Sequence, residues 1–474
     1  MVNVHRLSTA VGLGPDEVLM LEELEKVYDY HYGKNKTKDR YYNGNVTLGE
    51  VNLGIALPDG FRGLEIGCEW GAKAVDVLAA RSMFDGFVGE NGQNVETMRV
   101  IFESNNLRHE YDKACRDELK YGCAFATLSA DPECGCKIRF HSPMTAAALW
   151  DGEHGRIKCG FAIIDTVEDE SQVGLWHPSI VNLYTDEAIW VLRRDSDKFF
   201  AECYPHKMGR PLMEPLTWNA TNQKPFGRSR LKKPIRELIK GYVRTVANAT
   251  IGLEFSTAPQ KYLLGLTDEQ YDTVINSKFR QYIGNIIAST INPETGEKPS
   301  FGQLSQGNIT PHVDMIRLLA TQFSAATGLT VTDVGIINDA NPTSSDAILA
   351  QSQTLVSMAE QLNAGNGDSL RNIALMAQAI ARNVGLDGLT DEEKSVIAHF
   401  KNPAMPSVSV TADAAIKIAS ARQAFAQTDT FLEMIGFDQA DIRRIKAQEA
   451  RSRGLALFDS LEVNTDDNSS EGMV

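Results

Sequence analysis

Residues 229–255 read SRLKKPIRELIKGYVRTVANATIGLEF, and this stretch decides the fold. Ser229 can cap a helix and Pro234 is tolerated in a first helical turn, so the stretch predicts one helix over about 232–255. One stripe of apolar side chains recurs at helical spacing: Ile235, Leu238, Ile239, Tyr242 and Val246. At a rise of 1.5 Å per residue this helix is about 36 Å long, which is long for a helix in a small domain.

A second stripe on the same predicted helix is basic. It consists of Lys233, Arg236, Lys240 and Arg244, with Glu237 as the single acid between them. The stripe is a solvated or salt-bridging face between subunits in one interpretation and a DNA-facing surface in the other. Since no aromatic residues interleave with the basic ones and no groove-binding motif is present, base readout is not expected.

Downstream of this helix the sequence predicts a second long helix. A mixed segment, 257–309, comes first, and an amphipathic pattern then runs over about 312–327 through Val313, Ile316, Leu319 and Phe323. Gly328 ends that pattern, and residues 329–343 (LTVTDVGIINDANPT) are irregular.

A further helix begins at Ser344 or Ser345 and reaches about residue 363. The sequence NAGNGDS at 363–369 predicts a break or a kink there, and helical periodicity resumes over 370–384. After a boundary marked by Pro403 and Pro406, two shorter helices are expected near 411–426 and 438–452, followed by a polar, acidic C-terminal end.

Upstream of Ser229 the pattern is mixed. Helical spacing precedes Tyr121, and apolar residues then alternate with polar ones in short runs up to Tyr204. Turn signals separate these runs, so we expect an antiparallel meander of about six strands. The fold class is therefore α+β.

Composition restricts the function. The chain has 474 residues and a net charge of −15, with 47 Lys and Arg against 62 Asp and Glu. Tight duplex binding depends on clustered cations, so a DNA-gripping module is not expected. No apolar run approaches the ~20 residues that span a bilayer, and the N-terminus lacks the apolar block of an export signal. We therefore expect no membrane partner and a cytoplasmic location.

Motifs for catalysis are missing from the sequence. We find no Walker-type phosphate loop, dinucleotide fingerprint, H-E-x-x-H or G-x-S-x-G motif. Cys134 and Cys136 are too close together for an ordinary zinc knuckle, and the odd set of seven cysteines predicts reduced thiols. We therefore expect no enzyme activity, no catalytic residues, no cofactor and no metal site.

The order of elements, together with several local sequences, resembles the portal protein, or head–tail connector, of tailed bacteriophages with long non-contractile tails. The similar segments are CRDELKYGCAFATLS (115–129), GRSRLKKPIRELI (227–239), TAPQKYLLGL (257–266), FGQLSQGNITPHVDMIRLLATQFSAATGL (301–329) and NPTSSDAILAQSQTLVSMAEQL (341–362). The resemblance runs from about residue 16 to 450 and is most specific over 227–362.

The resemblance implies a division of the chain into the parts of a portal subunit. These would be a wing formed by 1–230 and a long, kinked helix at 344–400, two stem helices at 231–256 and 310–328, a small mixed clip at 257–309, a tunnel loop at 329–343 and a helical crown region at 401–474. The shape of the junction between wing and crown, around residues 363–369, is left open.

The resemblance also implies a function and partners. Such a subunit would join a homo-oligomeric ring, a dodecamer in this family, at one capsid vertex of the virion. Double-stranded DNA would pass through the ring without sequence specificity during packaging and ejection. The other partners would be the terminase large subunit, the major capsid and scaffolding proteins and the head–tail adaptor proteins.

Three groups of site residues follow from the resemblance. The tunnel loop would present Asp333, Asn338, Asp339, Asn341 and Thr343 to the DNA channel. The stem residues Lys233, Arg236, Lys240 and Arg244 would face DNA or a neighbouring subunit. In the clip, Glu294, Glu297 and Lys298 would contact the motor or the adaptor. The alternatives are another neck or head-associated ring protein, or a cytosolic α+β enzyme whose motif is not recognisable.

Overall fold

Helices and mainly antiparallel strands make up the fold, so the predicted α+β class is confirmed. The structure, a computed structural model, describes residues 7–46, 66–89, 96–168, 174, 176–195, 198–257, 261–266, 286–290, 300–303, 308–335, 345–404, 408–437, 441–442 and 444–454. The chain forms two compact units, Met1–Pro403 and Ala404–Val474.

The first unit contains most of the helices. They are α1 (Pro15–Tyr42), α2 (Trp70–Ala79), α3 (Glu96–Ser104), α4 (Leu107–Tyr121), α5 (Lys233–Thr257), α6 (Thr310–Thr327), α7 (Ser345–Ala381) and α8 (Asp391–Lys394). The second unit contains α9 (Val408–Ala421) and α10 (Asp429–Ile435), and residues 444–454 are also helical. The long helices predicted on either side of the mixed segment are thus present as α5 and α6.

The strands, all in the first unit, form four sheets. In chain order they are β1 (Phe84–Val88), β2 (Cys123–Asp131), β3 (Gly135–His141), β4 (Ala146–Asp151), β5 (Arg156–Glu168), β6 (Trp176–Tyr184), β7 (Ala188–Asp195), β8 (Lys198–Pro205), β9 (Met213–Thr217), β10 (Lys261–Leu266), β11 (Ile286–Thr290), β12 (Ser300–Gln303) and β13 (Ile397–Phe400). The sheet orders are β4-β5-β6-β7-β8, β3-β2-β9, β11-β10-β12 and β1-β13. Neighbouring strands are antiparallel except β10 and β11, which are parallel.

The prediction of one meander between Tyr121 and Tyr204 was wrong in its extent. Strands β4 to β8 do form an antiparallel meander, but β2 and β3 belong to a separate sheet that β9 completes. Residues 123–128 of β2 are all buried. A strand buried on both faces has no polar alternation, so periodicity could not assign it to a sheet.

The prediction for residues 363–369 was a break or a kink, and the structure excludes the break. Helix α7 is continuous from Ser345 to Ala381. Leu362, Asn366 and Leu370 are all buried along this part of the helix, so packing against the core offsets the weak helix propensity of NAGNGDS. The helix ends at Ala381, close to the end of the helical periodicity expected over 370–384.

Two hydrophobic clusters stabilise the first unit. The larger one includes residues from α2, α4, α5, α6, α7 and the sheet containing β2. The smaller one packs Leu21, Leu24 and Tyr28 of α1 against the five-stranded sheet, where Phe161 and Leu183 are fully buried. Helices α5 and α6 are therefore part of the main core at one of their ends.

Candidate functional site

Helices α5 and α6 form an antiparallel hairpin that is the centre of the candidate site. Ile239 and Val243 of α5 and Phe323 of α6 are fully buried in the main core. Gly241 permits the close approach, because a Cβ at this position would lie 3.2 Å from Leu319 Cδ2. The hairpin therefore has little room for a larger residue on α5 at its contact with α6.

An aromatic cluster attaches this hairpin to α2. The ring centroid of Trp70 lies 4.4 Å from that of Tyr242 and 4.9 Å from that of Phe323. Trp70 is itself 7% exposed. Because one indole contacts both helices of the hairpin, the orientation of the pair is fixed relative to α2.

Arg230 anchors the base of the hairpin. Its Nε donates to the carbonyl oxygen of Ala74 at 2.5 Å, and its Nη2 donates to that of Thr327 at 2.6 Å. Burial lowers the pKa of Arg230 to about 10, so the guanidinium stays charged at neutral pH. Thr327 is the last residue of α6, where the helix dipole favours a cation.

Sequence reasoning did not identify this structural role of Arg230. Arg228, two residues earlier, is exposed, whereas Arg230 is 8% exposed. Both residues precede α5, and residue type alone does not show which of the two arginine side chains points into the core.

The four residues of the predicted basic stripe do not share one environment. Lys233 is exposed and Arg244 is half-buried. The guanidinium carbon of Arg236 lies 5.7 Å from the ring centroid of Tyr41 in α1, and Lys240 Nζ lies 3.2 Å from Glu237 Oε1. Two of the four cations are thus engaged within their own chain, Arg236 by a cation–π contact and Lys240 by an ion pair.

Only part of the predicted tunnel loop lies within the described residues. Leu329 and Val334 are buried. The Thr330 N–H donates to Asp333 Oδ2 at 3.0 Å, and the Asp333 N–H donates to Thr330 Oγ1 at 3.2 Å. The Asp333 carboxylate therefore stabilises a local turn. Asn338, Asp339, Asn341 and Thr343 lie outside the described residues.

The segment between the two hairpin helices contains a small sheet. Strand β10 lies at its centre, pairing in parallel with β11 and antiparallel with β12. The predicted contact residues Glu294, Glu297 and Lys298 lie outside the described residues.

The outer side of the hairpin exposes apolar side chains that sequence reasoning missed. Met315 and Leu318 of α6 are 43% and 51% exposed, and Leu253 of α5 is 44% exposed. Val313 is 41% exposed, so its assignment to the apolar stripe of α6 that faces the core was wrong. The exposed positions of α6 fall outside the stripe because only the second half of α6, from Leu319 onward, packs into the core.

Within the part of the chain that the structure describes, no group of three or more His, Cys, Asp or Glu side chains is arranged to hold a metal ion. Among the same residues, no helix combines the length and the apolar character needed to cross a bilayer.

Solved structures with some likeness to the chain come from the neck of a GTA particle. "Neck of native GTA particle computed with C12 symmetry" has 11% identity and a TM-score of 0.41, with 78% of this chain and 89% of that chain covered. "Neck of empty GTA particle computed with C6 symmetry" has 11% identity and a TM-score of 0.42, with 80% and 90% covered. Likenesses this weak decide neither fold nor function. A comparison with curated proteins gives no match.

A family model gives the decisive comparison. The model described as "Phage portal protein, SPP1 Gp6-like" matches residues 19–454, which is most of the chain and nearly the extent of the resemblance found in the sequence. The match includes α5, α6 and α7, the helices that the sequence resemblance singled out. The chain belongs to the SPP1 Gp6-like family of phage portal proteins, which are structural proteins of the virion.

Proposed function

We propose that this protein forms a closed ring at one capsid vertex and that DNA passes through the ring during genome packaging and ejection. The observation that carries the proposal is the α5–α6 hairpin, which is anchored at its base and exposes apolar side chains on its outer side. Family membership supports the ring and its place in the virion. The protein acts as a conduit and does not itself catalyse a reaction.

The proposal extends to partners and to the parts of the subunit. The terminase large subunit docks first and the head–tail adaptor follows, both at the clip (257–309). The stem is the hairpin, the wing comprises 1–230 and the helix after the tunnel loop, and 401–474 forms the crown. Contacts of the ring with the major capsid and scaffolding proteins help to initiate capsid assembly.

Ring closure requires two different surfaces on each subunit. In a head-to-tail ring each copy contacts its left and right neighbours through unlike surfaces. The exposed Met315 and Leu318 supply apolar area for one of these contacts. Burying the exposed half of a leucine contributes about 1 kcal/mol for each contact, and every interface in the ring repeats that gain.

The channel is proposed to repel DNA rather than bind it. Duplex DNA carries one charge per about 1.7 Å of axis, so a channel lined with cations would hold it by phosphate contacts at every step. Residues 329–343 contain no Lys or Arg, and the chain as a whole carries a net charge of −15. Acidic groups act on a phosphate within a Debye length of about 8 Å, which lets the duplex slide.

The assembly state of a surface variant tests this proposal. We expect the wild-type protein to have the mass of a large ring by light scattering, and Leu318→Asp to shift that mass toward smaller species because a charge replaces apolar contact area. Leu19→Asp is the matched control, since Leu19 is a leucine of α1 that is 60% exposed. A Leu318→Asp protein that assembles as fully as the Leu19→Asp protein would exclude this side of α6 from the subunit contact.

A further inference from the structure

A buried polar network connects α4 to α7 at the sequence NAGNGDS. It consists of Ser82, Tyr111, Glu118, Asn363 and Asn366. Glu118 and Asn366 have no solvent exposure, and Ser82 is 3% exposed. Asn366 Nδ2 lies 2.8 Å from Glu118 Oε2 and 2.9 Å from the Tyr111 hydroxyl oxygen. The network thus lies in the core, where an unsatisfied polar atom is costly.

The donors of this network can be counted one by one. The Ser82 hydroxyl donates to Asn363 Oδ1 at 2.6 Å, so the Tyr111 hydroxyl, 2.8 Å away, must donate to Ser82 Oγ. Asn366 Nδ2 uses its two N–H groups on Tyr111 and Glu118. The protons of the Ser82 and Tyr111 hydroxyls and of Asn366 Nδ2 are therefore committed.

Two acceptors remain without a donor. Glu118 Oε1 and Asn366 Oδ1 are buried and have no hydrogen-bond partner among the residues that the structure describes. Both atoms belong to the same pair of side chains, and both can only accept while Glu118 is ionised. One additional proton on the Glu118 carboxyl would supply the donor that the pair lacks and would also remove a buried negative charge.

A second buried glutamate, Glu214, differs from Glu118 in that it has a cationic partner. Glu214 of β9 is 7% exposed and accepts from Asn372 Nδ2 at 2.8 Å, in the same way as Glu118 accepts from Asn366. Glu214 also forms an ion pair with Arg210. Glu118 forms no ion pair within the described part of the chain, so nothing there compensates an ionised carboxylate.

The titratable groups that face Glu118 do not supply a charge either. Tyr111 and Cys115 lie on its own helix and Cys123 lies on β2; burial raises the pKa of all three, so each stays neutral at neutral pH. Lys38 of α1 acts on Cys123, but its Nζ donates to Asn35 Oδ1 at 3.1 Å and to the Tyr121 carbonyl oxygen at 2.7 Å.

We propose that Glu118 is protonated in the folded protein and that its proton completes the hydrogen bonding with Asn366, so that the attachment of α7 to α4 depends on pH. When the carboxyl ionises, the network loses its donor and holds a buried charge without a counter-ion. Helix α7 then opens more readily around residues 363–370, where its own helix propensity is weakest.

The direction of the pH dependence follows from the protonation state. Burial raises the pKa of Glu118 from 4.5 to about 8. A carboxyl whose pKa is higher in the folded state confers stability that is complete below the unfolded pKa and is lost as the pH rises through the folded one. Between these two pKa values, the state in which α7 is attached to α4 becomes less favoured, relative to the opened one, by about tenfold per pH unit.

Amide hydrogen exchange of the full chain tests the proposal. In the wild type, protection of residues 363–370, corrected for the intrinsic pH dependence of exchange, should fall by about a hundredfold between about pH 6 and pH 8. Glu118→Gln should remove this dependence, because a glutamine amide can donate to Asn366 Oδ1 without a titratable proton. The matched control, Glu214→Gln, should lower protection near residue 372 and keep the wild-type pH dependence at 363–370.

The results that would overturn the proposal are equally definite. They are a wild-type protein without the pH dependence, or a Glu118→Gln protein that retains it. Infrared spectroscopy of the wild type gives a test that does not require the variant to fold. A protonated-carboxyl band that is present at about pH 6 and disappears above about pH 8 supports the proposal, and an unchanged spectrum across that range contradicts it.

Discussion

Replacing Arg230 by methionine should lower the free energy of unfolding, and the size of the loss can be worked out from the contacts of Arg230. The substitution removes hydrogen bonds to Ala74 and Thr327 and the contact with Trp218, whose ring centroid lies 5.7 Å from the guanidinium carbon. Two hydrogen bonds from a charged donor contribute about 3–6 kcal/mol, and the cation–π contact adds about 0.5–1 kcal/mol.

The loss is partly offset because methionine needs no desolvation of a charge. The pKa of Arg230 falls from 12.5 to about 10 on burial, which corresponds to a desolvation cost of about 3 kcal/mol. The net loss is therefore about 1–4 kcal/mol. The carbonyl of Thr327 accounts for much of it, since a C-terminal carbonyl has no partner within its helix.

Urea unfolding followed by tryptophan fluorescence measures this difference, because Trp70 and Trp218 lie close to the anchor. The matched control is Arg228→Met, an exposed position two residues away whose effect should stay within about 0.5 kcal/mol. Arg230→Lys should be at least as destabilised as Arg230→Met, since an ammonium keeps the desolvation cost and cannot reproduce the fork of two donors. A fully stable Arg230→Lys protein would refute the reasoning and show that the charge alone suffices.

Three further substitutions test the packing and the channel. Gly71→Ala should cost about 3 kcal/mol, because a Cβ on Gly71 would overlap the carbonyl oxygen of Tyr41. Gly33→Ala, inside α1 with open space around the position, should instead stabilise the protein by up to about 1 kcal/mol. Thermal unfolding of both variants measures the difference, and equal changes in stability would contradict the close contact at Gly71. Asp339→Lys should slow DNA packaging in vitro while ring assembly stays intact, and an unchanged packaging rate would mean that residues 329–343 do not form the constriction.

The sequence predicted the bounds of the hairpin helices well because their start and stop signals, Pro234 and Gly328, are local. Helix α5 begins at Lys233 and α6 ends at Thr327, within a few residues of the expected bounds. Gly328 adopts a positive φ of 73° at the end of α6, the conformation that a helix-terminating glycine predicts.

The misses have a common cause in tertiary contacts. The continuity of α7 through NAGNGDS depends on Asn366, whose partners lie about 250 positions earlier in the chain. The inward orientation of Arg230 likewise depends on carbonyl groups of α2 and α6. Local periodicity carries no information about such partners.

Imaging of the purified full-length protein by electron microscopy tests the central claim most directly. Class averages viewed along the symmetry axis should show a closed ring of subunits around an open channel. A preparation that remains monomeric or dimeric, with no annular particle at any protein or salt concentration, would contradict the proposal that this chain forms a conduit for DNA.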